Sequence, residues 1–174
     1  MPNTFTRAPL KQTAVWGGGL ARTTGGDGKW LCIPTGHQQA VFVMGTNAAA
    51  PATSFNPSTN ADDLGGVIWN SIHQITVINC RVWYAQGYNV NTTHILCLMR
   101  YDIDANGSLI NGVEVAGPDT DSGSDDYTTL AFTDLTMTTD NVVTPSQVLI
   151  AMVYQVDGAN AAFTAKCILE YREQ

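Results

Sequence analysis

Charge is scarce in this sequence. Asp, Glu, Lys and Arg make up 13% of its 174 residues, well below the quarter or so usual in soluble proteins. A disordered chain combines high charge with low hydrophobicity, and here apolar residues reach 44%, which argues against disorder of the whole. Positive charge is scarcer still. Eight Lys and Arg stand against fifteen Asp and Glu, a net charge of −7 with a pI near 4.6. Phosphate contacts need clustered Lys and Arg, so nucleic acid is not an expected partner. No apolar run approaches the roughly 20 residues that span a bilayer, and no membrane partner is expected. Met1 to Arg7 carry no apolar h-region, so no secretory signal is expected. The sequon Asn91-Thr92-Thr93 then reads as a polar loop.

Recognisable spacings of catalytic or metal-binding groups are also missing. Cys32, Cys80, Cys97 and Cys167 form no C-x-x-C pair, which argues against zinc. Three of them lie in apolar, strand-like runs and read as small buried hydrophobes. The histidines His37, His73 and His94 belong to no H-E-x-x-H motif, and there is no G-x-S-x-G. Gly17-Gly18-Gly19 and Gly25-Gly26-Asp27-Gly28 lack the Lys and helix of a phosphate loop. The chain is therefore expected to be no enzyme and to use no cofactor.

What is present is strand patterning on a length that supports one sizeable core. In His94–Ile103, Ile95, Cys97, Met99, Tyr101 and Ile103 alternate with Leu96, Leu98, Arg100 and Asp102. Val148, Ile150, Met152, Tyr154 and Val156 alternate through Gln147–Asp157, and Phe163, Ala165, Cys167, Leu169 and Tyr171 through Ala161–Tyr171. Period-two alternation marks a strand with one face in the core. Trp30–Ile33, Gln39–Met44, Ile72–Tyr84, Leu109–Val115 and Tyr127–Met137 read as further strands. Within Ile72–Tyr84 the apolar phase changes between Val77 and Ile78, which suggests a bulge or burial on both faces. Helical periodicity is nearly absent. The expected fold is all-β, an antiparallel β-sandwich of jelly-roll type over residues 30–174.

Residues 1–29 read as an extended N-terminal arm, because Pro2, Pro9 and two glycine clusters break regular structure. The arm holds Arg7, Lys11, Arg22 and Lys29 against Asp27 alone, a net of +3, whereas residues 30–174 hold 4 basic and 14 acidic residues. Such asymmetry marks a docking tail, or an accidental charge on a loose terminus. Leu96, Leu98, Leu149, Ala151 and Val153 fall opposite the expected core positions. A solvated sheet face should be polar there, so another sheet layer or another subunit must cover them, and they are candidates for an oligomer interface.

Three segments invite a ligand. Asp102, Asp104 and Asn106, followed by Gly107, resemble the start of a calcium loop, but position 12 is Val113 rather than Glu. The favoured alternative is a hairpin turn at Asn106-Gly107. Asp119 to Asp126 is a dense acidic run that reads as a solvated loop or a site for a basic partner. Trp83, Tyr84 and Tyr88 could offer a sugar-stacking platform, with core packing as the plainer reading.

The composition rich in Thr, Asn and Ala, the missing signal peptide, the glycine-broken arm before Trp30 and the strand-dense body through Tyr171-Arg172-Glu173-Gln174 together resemble small structural proteins of tailed bacteriophages. Within that group the chain is most similar to capsid decoration, or cement, proteins. The resemblance implies a homo-oligomer, commonly a trimer, seated on the major capsid protein lattice at the outer surface of the virion. It implies synthesis in the host cytoplasm. It carries no motif from which individual residue roles follow. The alternative is a tail-fibre, receptor-binding or carbohydrate-binding β-domain.

Overall fold

The computed structural model describes residues 10–20, 28–35, 43–56, 66–86, 93–122, 130–155 and 163–174, and within them the alternating runs form paired strands. The strands are β1 (Lys11–Leu20), β2 (Trp30–Cys32), β3 (Ile75–Gln86), β4 (Thr93–Ile103), β5 (Leu109–Ser122), β6 (Leu130–Asp134), β7 (Val142–Val143), β8 (Gln147–Gln155) and β9 (Phe163–Glu173). One sheet runs β1-β9-β3-β6, with β7 also on β3, and the other runs β2-β8-β4-β5. All pairings are antiparallel. β6 and β7 line the same edge of β3, at Arg81–Ala85 and Ile75–Thr76, like one interrupted strand. The chain changes sheet at most connections, the β4–β5 and β6–β7 links excepted. This interleaving gives a two-sheet sandwich with jelly-roll connectivity.

The phase change in β3 is a bulge. The register slips between Val77 and Asn79. Ile75, Val77, Cys80 and Val82 are thereby all buried, while Ile78 turns outward. One extra residue re-aims the strand without losing a core position.

The β2-β8-β4-β5 sheet is covered on both faces. Its inner face packs Leu31, Leu96, Leu98, Leu149, Ala151 and Val153 against Trp16, Ile75, Val77, Val82, Cys167 and Leu169 of the other sheet. Its outer face packs Trp30, Cys97, Met99, Tyr101, Ile150 and Met152 under Met44 and Val67 of the long connection between β2 and β3. That connection is stitched down by its own backbone. Phe55 and Leu109 exchange N–H···O bonds of 2.7 and 2.9 Å, and Trp69 and Leu149 bonds of 2.9 and 2.7 Å. Tyr101 Oη donates to the Ala52 carbonyl at 2.7 Å, and Trp30 Nε1 to that of Asn47 at 2.7 Å. Each large apolar side chain so enclosed contributes on the order of 1.5–3 kcal/mol.

Two expectations are corrected here. The five residues offered as an oligomer interface, Leu96, Leu98, Leu149, Ala151 and Val153, are each 0% exposed in the chain's own core. Alternation could not say which face met the second sheet, because both faces of this sheet are apolar. Residues 11–20, expected in a free arm, are a strand. β1 pairs with β9 from Lys11↔Arg172 to Leu20↔Phe163, and Trp16 is buried and stacked on Trp69 at 5.7 Å and 8°. The glycines that argued against a strand fit this edge. Gly17, at φ +152°, lies so close to β9 that a Cβ would fall 2.3 Å from the Ala165 oxygen.

Candidate interaction surface

The outer face of the β1-β9-β3-β6 sheet gathers the charged and aromatic side chains of three strands. Gln12, Ala14 and Trp16 of β1 are the less exposed positions, and Lys11, Thr13 and Val15 point out. In β9 the buried Ala165, Cys167 and Leu169 leave Lys166, Ile168, Glu170 and Arg172 outward. In β3 the bulge leaves Ile78, Arg81 and Trp83 on the same side. Pairing brings these into rows. Val15 lies opposite Ile168, Ile168 opposite Arg81, and Arg81 opposite Asp134.

Charges on this face are partly matched. Lys11 Nζ meets Glu170 Oε2 at 2.6 Å. Arg81 grips Asp134 with two bonds, Nε to Oδ1 at 2.6 Å and Nη2 to Oδ2 at 2.7 Å. The Arg81 bonds hold the Asp134 carboxyl below the usual carboxylate range, and the carboxylate in turn raises Arg81. Lys166 Nζ stands 5.2 Å above the Trp83 ring, a cation–π arrangement. Trp83 is thus a half-buried wall of this charged face and not a naked platform. Tyr84 is placed only by its backbone, and Tyr88 lies outside the described residues.

The remaining sequence candidates separate. Asp102 and Asp104 lie at the β4–β5 turn, where both carboxylates are occupied by structural bonds. Asp102 accepts from Asn111 Nδ2 at 2.9 Å and Gln147 Nε2 at 2.8 Å. Those amides, Asn111 foremost, hold its carboxyl below the ordinary value. Asp104 Oδ1 accepts the backbone N–H groups of Asn106 at 2.8 Å and Ser108 at 2.7 Å. Gly107 N donates to the Asp104 carbonyl at 3.0 Å, and Gly107 adopts φ +79°. This is a hairpin with a three-residue loop, one residue longer than the expected two-residue turn. Among the described residues no three His, Cys, Asp or Glu side chains converge.

Of the cations assigned to the arm, Lys11 is in β1 and Lys29 immediately precedes β2; Arg7 and Arg22 lie outside the described residues. The acidic run is not all loop, because Asp119 to Ser122 end β5 and pair with β4 from Leu96 back to Thr93. Residues 123–129 and His37 lie outside the described residues. The four cysteines are buried and free, with Cys80 and Cys167 sulfurs 3.6 Å apart. A shallow hollow of about 420 Å³ between Gly45 and Thr53 holds no side-chain acid or base.

Lys166, Arg81 and Arg172 were visible in the sequence only as polar members of alternating strands. Nothing in one strand shows that three strands deliver their cations to the same face. That information is in the pairing order.

No protein-family model and no curated protein matches this chain. Among solved structures, a chain from infectious bursal disease virus, Gx strain, aligns over 95% of this chain and 30% of its own length, at 9% identity and a TM-score of 0.36. A chain from the crystal structure of the T13 viral particle of the same virus aligns over 94% and 31%, at 10% identity and 0.39. A chain of Desmodium yellow mottle tymovirus aligns over 99% and 93%, at 8% identity and 0.28. The present chain spans under a third of the bursal disease virus chains of the first two alignments.

Proposed function

We propose that this chain is a non-enzymatic structural protein of a virion, seated as a homo-oligomer, a trimer, on the outer surface of a capsid as a decoration protein. The observation that carries the reading is the strand order, the interleaved double sheet of a jelly roll with a filled interior. Jelly rolls recur in viral capsid domains, lectins and cupins. A cupin-like chemistry needs room between the sheets. Here Trp16, Leu96, Leu98, Leu149 and Val153 occupy that space. Because a fold hosts many functions, the surface must supply the rest, and its most differentiated part is a broad charged sheet face rather than a cleft.

The arm's role narrows under this reading. Lys11 lies in β1, where its ammonium meets Glu170, so of the arm's four cations Arg7, Arg22 and Lys29 are the ones assigned to a capsid lattice. Several copies of such contacts in one oligomer add avidity without new chemistry.

The test is co-sedimentation of the full chain with tailed-phage capsids stripped of their own decoration. Saturable binding, with added density on the capsid exterior by electron microscopy, is the expected result. A protein that stays unbound with every capsid, and is instead retained on immobilised glycans unless Trp83 is replaced by Ala, would move the assignment to the carbohydrate-binding alternative.

A further inference from the structure

The outer face of the β1-β9-β3-β6 sheet carries charge of the sign the rest of the molecule lacks. Lys11, Arg81, Lys166 and Arg172 are half of the chain's eight basic residues, and all four are on this face. Among the described residues they meet two acids there, Asp134 and Glu170, an excess of two positive charges. The chain as a whole is at −7, so everything outside this face is more negative than the total. The face and the remainder of the chain thus carry net charges of opposite sign.

The arrangement on the face is also unfinished as it stands. Lys11 and Arg172 are directly opposite each other in the β1–β9 register, and like charges so placed destabilise a strand pair. Glu170 relieves Lys11 at 2.6 Å. Among the described residues, the two ion pairs of this face leave Lys166 and Arg172 without a carboxylate. Beside these cations runs apolar surface. Val15 is 58% exposed with Ile168 opposite it, and Ile78 is 37% exposed. Arg and Trp flanking a small apolar strip is the composition of a protein interface.

We propose that this face docks on the acidic surface of a second copy of the same chain. The occupant follows from charge complementarity. The surface that fits a cationic, weakly apolar sheet face is an acidic one, and each copy carries both halves. The excess of two charges is small for a nucleic acid, whose affinity scales with the number of phosphates neutralised. Because the two surfaces differ, the contact is head-to-tail. Repetition of such a contact closes into a ring or continues as a lattice. The inference rests on the virion reading only in giving that repetition a purpose.

Sedimentation velocity of the full chain over a concentration series tests it. Self-association should weaken at least about tenfold between about 0.05 and 0.5 M salt, since opposed surface charges are screened over that range. The exposed pair Lys166→Glu with Arg172→Glu should remain monomeric at low salt. The neutral pair Lys166→Gln with Arg172→Gln should fall between, with a wild-type circular dichroism spectrum and melting temperature as evidence of folding. A wild-type chain that is monomeric throughout, or association undiminished in both variants, would overturn the proposal. So would a monomer that binds a labelled single-stranded oligonucleotide through the same residues. Undiminished self-association of the charge-reversed pair together with unchanged capsid binding would sink this interface and leave the virion reading intact. Charge-sensitive self-association without any capsid binding would do the reverse.

Discussion

Single residues carry two of the structure's sharpest constraints. Gly17 sits at φ +152°, and a Cβ there would meet the Ala165 oxygen at 2.3 Å and Lys166 Cα at 2.6 Å. Both are backbone atoms of β9, so no rotamer change makes room. Gly107 differs. At φ +79° a Cβ meets nothing within 4 Å, so substitution incurs only conformational strain, about 1 kcal/mol. Gly17→Ala should therefore destabilise more than Gly107→Ala, by roughly 1–3 kcal/mol beyond it, read from urea unfolding midpoints at constant slope. Equal losses would mean that β1 approaches β9 less closely than described. Asp102 adds a pH dependence. Hydrogen bonds from Asn111 and Gln147 hold its folded carboxyl below the ordinary range. A carboxyl lowered on folding stabilises above its unfolded pKa, and that contribution is lost as pH falls through the folded one. Asp102→Asn should accordingly lose less melting temperature than wild type as the pH falls from about 5 to about 3. A parallel fall in both proteins would show that the amide bonds do not favour the ionised form.

At the scale of elements, β1 decides whether the N-terminal segment is a tether or part of the body. Removing residues 1–20 would strip ten paired positions from β9 and take Trp16 out of the core. Loss of a buried Trp alone costs about 3–5 kcal/mol, a large part of a domain's stability. The truncated chain should be aggregated or unfolded by circular dichroism and light scattering, whereas a dispensable arm would leave a folded, soluble remainder. The reason β1 was hidden in the sequence is physical. Gly17, Gly18 and Gly19 lower strand propensity, and the edge position that suits them depends on β9, about 150 residues away. By contrast β4, β8 and β9 were legible, because Met99, Tyr101, Val148, Ile150, Cys167 and Leu169 keep a strict period of two. The β3 bulge was legible as a phase change at Val77. What alternation could not tell was partnership. Leu96 and Leu149 were as apolar as Cys97 and Ile150, and only the topology assigns one set to the facing sheet and the other to the connection. The β7 strand, two residues long, is too short to leave a period.

At the scale of the molecule, one sheet is shared by two cores of unequal strength, and the cysteines report on each. Cys80 and Cys167 lie between the sheets, whereas Cys32 and Cys97 lie under the connection that contains Met44 and Val67. All four are at most 1% exposed, and burial raises the thiols of Cys32, Cys97 and Cys167. Because the thiolate is the reactive form, labelling in the native state must wait for an opening. The two openings differ in cost. Separating the sheets breaks the β1–β9–β3 ladders or exposes the whole inter-sheet core, which approaches global unfolding. Lifting the connection breaks short stretches of pairing at Phe55–Leu109 and Trp69–Leu149 and the bond from Tyr101 to Ala52. Sub-global openings of irregular segments lie at the low end of the stability range. In dilute urea, Cys32 and Cys97 should therefore label before Cys80 and Cys167, the sites being resolved by mass spectrometry. Tyr101→Phe, which removes a hydrogen bond worth about 1 kcal/mol, should speed labelling of the first pair and barely change the second. Simultaneous labelling of all four would mean that the connection opens only with the sandwich, and that the two cores form one cooperative unit.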